Sequence, residues 1–413
     1  MLIICYIVKM WIIVLLVLLT ECFWGLKIAD YNVVALVFSI PFIYYYIEYR
    51  QRRKFFSNKA DIFISLVWLF IIINIISCWI FRDQSPYLTL RTSDVRNFVP
   101  LFFFYYLLKK KYSVIDVEKS IEVLLFSFAI CYLLQFFVFY PNEVFALLGG
   151  SVGGDKRFRF VGQLILFIGY FYFLNNILLE KDSYYKNILG LLLSFICIVL
   201  LGFRSYFASI LLVSLIQIYR VKGVSLKSFK TIICGVLCLF LLSQTEMVQN
   251  VIENMKNRQH SQTFSNKEYI RWMEFNYYTN NHFQNGYEMF WGSGPWNGDS
   301  QYGKYIESFR RAESVISGND TSVTTWWDWG LIGLSWAMGI PLALLIYIYL
   351  FYMAFKKTNK RYYYMSSIYI FLILTSITTI ETYRFGAFTF HALLLYLMYA
   401  IRREKIRKNL ISK

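Results

Sequence analysis

Residues 61–81 read Asp61-Ile62-Phe63-Ile64-Ser65-Leu66-Val67-Trp68-Leu69-Phe70-Ile71-Ile72-Ile73-Asn74-Ile75-Ile76-Ser77-Cys78-Trp79-Ile80-Phe81. The run carries one ionisable residue, at its edge. Crossing a bilayer core as a helix takes roughly 20 apolar residues, so this stretch is long enough to span. A transmembrane β-barrel strand would alternate over about ten residues instead. Eleven further apolar runs flank it, at 2–20, 31–49, 95–108, 120–140, 160–179, 187–202, 205–219, 229–243, 325–355, 362–380 and 385–401. The run at 325–355 is long enough to include a stretch outside a bilayer. The expectation is an all-α polytopic membrane protein with twelve transmembrane helices. Composition agrees: 58% of the 413 residues are hydrophobic and 16% are charged, against about 25% charged in soluble domains. Soluble enzyme, secreted disulfide scaffold and disordered chain are excluded.

The net charge of +17 reads as membrane topology rather than nucleic-acid binding. With a cytoplasmic N-terminus, segments 50–60, 109–119, 180–187, 220–230, 356–361 and 402–413 lie inside and hold 25 lysines and arginines. The short outer loops 21–30, 82–94, 141–159, 203–204 and 381–384 hold 8. Both termini are therefore expected inside. Residues 1–243 would carry nine spans, 244–324 a large outer loop, and 325–413 the last three spans with a basic tail. Leu19-Thr20-Glu21-Cys22 is a poor lipobox, so the first run is expected to stay as a helix. The seven cysteines show neither metal-ligand spacing nor a disulfide framework.

The outer loop has helical texture. Ile270, Trp272, Phe275 and Tyr278 recur near helical spacing, Gly292-Ser293-Gly294-Pro295 breaks the chain, and 300–317 resumes with Tyr305, Ile306 and Phe309 on one side. His260 and His282 stand in this loop without a clear partner, and His391 sits on an apolar helix.

Outward arginines at membrane depth oppose the charge trend and need a reason. Arg204 stands in a tight turn between two runs, Arg157 and Arg159 just before the sixth run, Arg271 in the outer loop, and Arg384 three residues after Glu381. Each has an ordinary reading: snorkelling, interfacial anchoring, surface cation, or a local Glu381–Arg384 pair. Together they would also suit the oxygens of a lipid-linked pyrophosphate, which the arginine fork matches with paired hydrogen bonds. Asp320 and Asp328 are candidate bases, with helix capping and an interfacial acid among tryptophans as their ordinary roles. No metal motif or phosphate-binding loop stands out.

Four stretches carry a family resemblance. They are Gly202-Phe203-Arg204-Ser205; Arg159-Phe160-Val161-Gly162-Gln163; Arg271-Trp272 followed by Phe290-Trp291-Gly292-Ser293-Gly294-Pro295-Trp296; and Asn319-Asp320 followed by Asp328, Gly330 and Gly333. In order and placement the chain resembles the O-antigen polymerase and O-antigen ligase superfamily of bacterial envelope glycosyltransferases. Asn319 stands where the ligases carry a histidine, which favours the polymerase branch. The resemblance implies a GT-C-like fold in the bacterial inner membrane, with a periplasmic helical loop. The implied reaction joins undecaprenyl-pyrophosphate-linked repeat units into O-antigen or capsular polysaccharide. Asp320 or Asp328 would be the base, and Arg204, Arg271, Arg159 and Arg157 the pyrophosphate clamp. No cofactor or metal is expected. Partners would be the lipid-linked glycans, membrane lipids, a chain-length regulator and a flippase, and not nucleic acid. A ligase, a non-enzymatic polysaccharide transporter and a peptidoglycan-type cell-shape glycosyltransferase are the rival readings.

Overall fold

The computed structural model describes residues 2–26, 31–52, 58–145, 160–180, 183–223, 270–308, 326, 329–377 and 379–411. Among these residues the chain is helical and forms no strand. The main helices are α1 (Leu2–Thr20), α2 (Tyr31–Arg52), α3 (Lys59–Arg82), α4 (Phe103–Lys110), α5 (Val114–Leu134), α6 (Leu164–Leu178), α7 (Tyr184–Leu200) and α8 (Arg204–Lys222). After the undescribed 224–269 follow α9 (Ile270–Asn276), α10 (Gly286–Trp291), α11 (Gly330–Met338), α12 (Ile340–Phe355), α13 (Tyr363–Thr375) and α14 (Ala387–Ile411). The ninth apolar run, 229–243, and the loop parts 244–269 and 309–325 lie outside the described residues.

Local chemistry sets the helix ends. Asn58 caps α3 by accepting from the Asp61 N–H at 2.9 Å, and Asp83 stops it with φ 50°. Ser113 and Asp116 form a reciprocal capping box at the start of α5. Two helical stretches are long and apolar enough to cross a membrane: Lys59–Arg82 and Val114–Phe139. One face of α3 leaves Ile72, Ile76, Trp79 and Ile80 exposed while Ile64, Val67 and Ile71 are buried. A row of exposed large apolar side chains is poorly suited to water.

The fourth run is shorter than the sequence reading gives it. A 3₁₀ turn, Val99–Phe102, leads directly into α4. Pro100 supplies no N–H to an α-helical ladder there. Every residue from Phe98 to Leu107 is buried. Packed rings hold this element at the centre: Trp68 stacks on Phe102 at 5.1 Å and Phe42 lies tilted against Phe103 at 4.8 Å between centroids.

The basic segments gather at one end of the bundle. Arg50 pairs with Asp61, Lys109 with Glu48, Lys186 with Glu122, Lys222 with Glu180, and Arg361 with Glu118. Lys360 Nζ donates to Val221 O at 3.0 Å, and Arg403 to Tyr112 O at 3.2 Å. These contacts join the segments that the charge count places on one side.

Two loop expectations need correction. The run at 325–355 contains two helices, not one. The break is Gly339, with φ 93° and ψ 150°, a conformation open essentially to glycine alone. Into this break fits the turn Gly292-Ser293-Gly294 from the 270–308 segment. Ser293 N donates to Trp336 O at 3.2 Å and Gly294 N to Ala337 O at 2.9 Å. From α3, Asn74 Nδ2 donates to Trp291 O (2.9 Å) and Ala337 O (3.0 Å), and Ser77 Oγ donates to Gly292 O (2.9 Å). The turn is therefore threaded into the bundle, and protein donors satisfy its carbonyls as buried irregular backbone requires. In 301–308, which is helical, Tyr305 and Ile306 do not share a face. Tyr302 and Ile306 are buried, one helical turn apart, while Tyr305 is 56% exposed.

Candidate functional site

At the end opposite the basic segments, two turns meet. Gly162, ahead of α6, donates its N–H to Phe385 O, ahead of α14, at 2.9 Å. Around them lies a polar centre sealed from solvent. Glu381 Oε1 accepts from Gln163 Nε2 at 2.7 Å and from the Tyr206 hydroxyl, and Arg384 Nε lies 3.0 Å away. Gln163, Tyr206, Glu381 and Arg384 are all buried. The Arg384 contact is an ion pair without an aligned N–H: its Nε and Nη1, together with Glu381 Oε2, Gln163 Oε1 and Thr382 Oγ1, make no hydrogen bond. Buried polar atoms are nearly always paired in folded proteins.

A second carboxylate packs against the same turns. Glu21, just past α1, is fully buried, and neither oxygen makes a hydrogen bond. Its head fits a cradle between two glycines. A Cβ on Gly386 (φ +82°) would stand 1.9 Å from Glu21 Oε2, and one on Gly162 (φ +69°) 2.9 Å away. Burial pushes the carboxyl up to about 8, with the neighbouring Thr389 hydroxyl offsetting part of the rise. From about 4.5 to about 8 the native chain holds a proton that the unfolded chain has lost. Stability therefore falls as pH rises through that window. Glu21→Gln, which imitates the protonated acid, should flatten this dependence. Thermal unfolding of purified protein should find the variant more resistant than wild type at pH 9 and equal to it near pH 4. An unchanged pH slope would remove Glu21 as the titrating group.

A third polar centre ties the 270–308 segment to α3. Arg82 pairs with the buried Glu288 and donates to His282 O. His282 is buried, with Nδ1 3.1 Å from the Tyr277 hydroxyl and Nε2 2.9 Å from Ser293 Oγ. Burial, helped by the Arg82 charge, pushes the imidazole down to about 3, so it is neutral at physiological pH. The sequence reading left His282 unpartnered; its partners come from Tyr277 and from the threaded turn. His391 is a core residue, buried and 3.0 Å from Thr382 O.

Of the six residues singled out from sequence, two are described. Arg204 opens α8, exposed, two residues before Tyr206. Arg271 lies half-buried on α9, whose Phe275 packs on Trp329 at 5.3 Å. They stand on separate helices. Arg157, Arg159, Asp320 and Asp328 lie outside the described residues. Arg384 does pair with Glu381.

The chain matches no known protein family and no curated protein sequence.

The residues that sequence reasoning missed are Glu21, Gln163, Tyr206 and, as a hub, Glu381. Acids beside apolar runs were the available signal. Their convergence depends on contacts between residues 175 and 218 positions apart, as in Tyr206–Glu381 and Gln163–Glu381.

Proposed function

We propose that the chain is a polytopic membrane glycosyltransferase that joins lipid-pyrophosphate-linked oligosaccharide repeat units. The observation that carries this reading is the sealed Glu381–Arg384–Gln163–Tyr206 centre at the end away from the basic segments, with the exposed Arg204 two residues before Tyr206 in the chain. The two long apolar helices and the exposed apolar face of α3 support a bilayer setting. The positive-inside bias puts the basic end in the cytoplasm and the polar centre on the outer side.

In the proposed reaction, an acceptor sugar hydroxyl attacks the anomeric carbon of the lipid-linked donor chain. The new C–O bond forms as the bond to pyrophosphate breaks. The hydroxyl proton passes to a carboxylate, Asp320 or Asp328 by the resemblance, and the electron pair leaves on pyrophosphate. Arg204 and Arg271 would bind that departing charge. A preorganised cation is worth most where charge develops. The buried centre would act by positioning: Tyr206 fixes the first turn of α8, and so the place from which Arg204 reaches out.

The test is a polysaccharide gel on a deletion strain. A single repeat unit on the acceptor supports polymerisation, complete loss of attached glycan points to the ligase reading, and an unchanged ladder overturns both. In the complemented strain, Arg204→Ala and Arg271→Ala should each reduce chain extension by about 10²-fold. Lysine should rescue poorly, because it lacks the planar fork. Full-length ladders from either alanine variant at normal abundance would remove that arginine from the clamp. Asp299 is exposed in the outer segment. Asp299→Cys should be labelled from outside intact cells by an impermeant thiol reagent, and labelling only after permeabilisation would reverse the topology.

A further inference from the structure

A cleft opens at the basic end, far along the bundle from the polar centre, between the start of α3, the last turns of α12 and the α14 helix. Its volume is about 420 Å³. The walls are apolar, with Phe63, Leu66, Ile348, Met353, Leu395 and Tyr399 among them. Three cations from three helical segments stand on it: Lys59, Lys356 and Arg402. No acid lines it. Lys59 Nζ and Lys356 Nζ flank the same ring, 4.8 Å and 5.4 Å from the Tyr352 centroid. Several other cations at this end pair with carboxylates, as in Arg50–Asp61, Lys186–Glu122 and Arg361–Glu118. Among the described residues, none of these three cations forms an ion pair with a carboxylate.

A general inward bias of positive charge accounts for lysines and arginines at this end. It does not account for three of them converging on an apolar slot free of acids. Apolar walls with a cationic mouth match a molecule with a hydrocarbon tail and an anionic head, and the outer rim residues Ile62 and Ile348 are 37% and 58% exposed, facing where lipid tails would lie. We propose that the cleft is a binding site for an anionic phospholipid of the cytoplasmic leaflet. One acyl chain lies along Leu66 and Ile348, and the phosphate sits between Lys59, Lys356 and Arg402. The proposal rests on the membrane reading above. Basic residues near the membrane surface attract anionic lipid, so three acting together can select a headgroup.

Native mass spectrometry of the delipidated, detergent-purified full chain tests this, with phosphatidylglycerol and phosphatidylcholine as probes. Phosphatidylglycerol should bind at least tenfold more tightly. The triple variant Lys59→Gln, Lys356→Gln, Arg402→Gln should bring the two lipids to the same affinity with helix content unchanged by circular dichroism. Leu66→Trp, which fills the slot and leaves the charges alone, should lower phosphatidylglycerol binding as well. Equal affinities in the wild type, or a preference that survives the triple variant, would overturn the site. Displacement of phosphatidylglycerol by equimolar glycerol phosphate would also overturn it, since the cleft would then be reading a soluble phosphate without the chain. Release of the protein from membranes by alkaline carbonate would sink the membrane reading and this site together. Retention in the membrane without lipid selectivity would sink the site alone.

Discussion

Glu381→Ala should leave almost no folded protein to extract from the membrane. Arg384 has 6% of its side chain exposed, and Glu381 is the carboxylate it faces. Removing one partner of a buried ion pair costs about 3–5 kcal/mol, because the other charge stays behind uncompensated. The Tyr206 hydroxyl and the Gln163 amide would lose their acceptor in the same step. Each orphaned donor adds about 1–3 kcal/mol. Total folding stabilities run about 5–15 kcal/mol, so a sum of about 5–11 kcal/mol removes most of it. Glu381→Gln keeps an acceptor oxygen and should be extracted at a reduced but measurable level. The double variant Glu381→Leu, Arg384→Met should recover more protein than Glu381→Ala, since it leaves no lone charge. Size-exclusion profiles of detergent extracts decide the matter, and a wild-type profile for Glu381→Ala would show that the pair is not buried as described.

Gly339→Ala and Gly292→Ala should be nearly as damaging, through the backbone. Both glycines sit at φ near +90° and ψ near 150°: Gly339 at 93° and 150°, Gly292 at 86° and 147°. Only glycine adopts this region readily, and forcing another residue into it costs about 1–3 kcal/mol. There is also no room. A Cβ on Gly339 would stand 2.4 Å from Trp291 O, and one on Gly292 would stand 2.4 Å from Gly339 N. The obstacles are backbone atoms, so no side-chain rotation relieves them. Either variant should unseat the 292–294 turn and open 270–308 to proteolysis in purified protein. Gly298→Ala, where a Cβ meets nothing within 4 Å, is the matched control. Equal protease half-lives for Gly339→Ala and Gly298→Ala would disprove the tight seat.

The helical architecture was legible because apolar runs need only composition and length to be read. So was the gathering of basic segments, since topology follows charge. The Gly339 break was less visible: Gly339-Ile340-Pro341 carries a stop and a helix start, but it lies inside an unbroken apolar run and was read through. Asn74 was likewise absorbed into its run, although an amide at the middle of such a helix is costly without partners. The candidate centre was read in halves. The Glu381–Arg384 pair is three residues apart and so could be inferred. Gln163 and Tyr206 reach Glu381 only through tertiary packing, which no spacing encodes. Glu21 was noticed solely as the residue that spoils a lipobox.

The Asn74 hydrogen bonds have a consequence for the order of assembly. Its partners, Trp291 O and Ala337 O, lie 217 and 263 residues downstream. At synthesis rates of about 5–20 residues per second, α3 emerges roughly 10–40 s before the first of them exists. During that interval the nascent helix holds a mid-span amide whose eventual acceptors are still unmade. On the proposed membrane reading, it would linger beside the insertion machinery, borrow a temporary acceptor there, or sit shallow in the bilayer. The last third of the chain then acts as a latch that completes the first, and a ribosome stalled before residue 291 would leave α3 inserted but not locked.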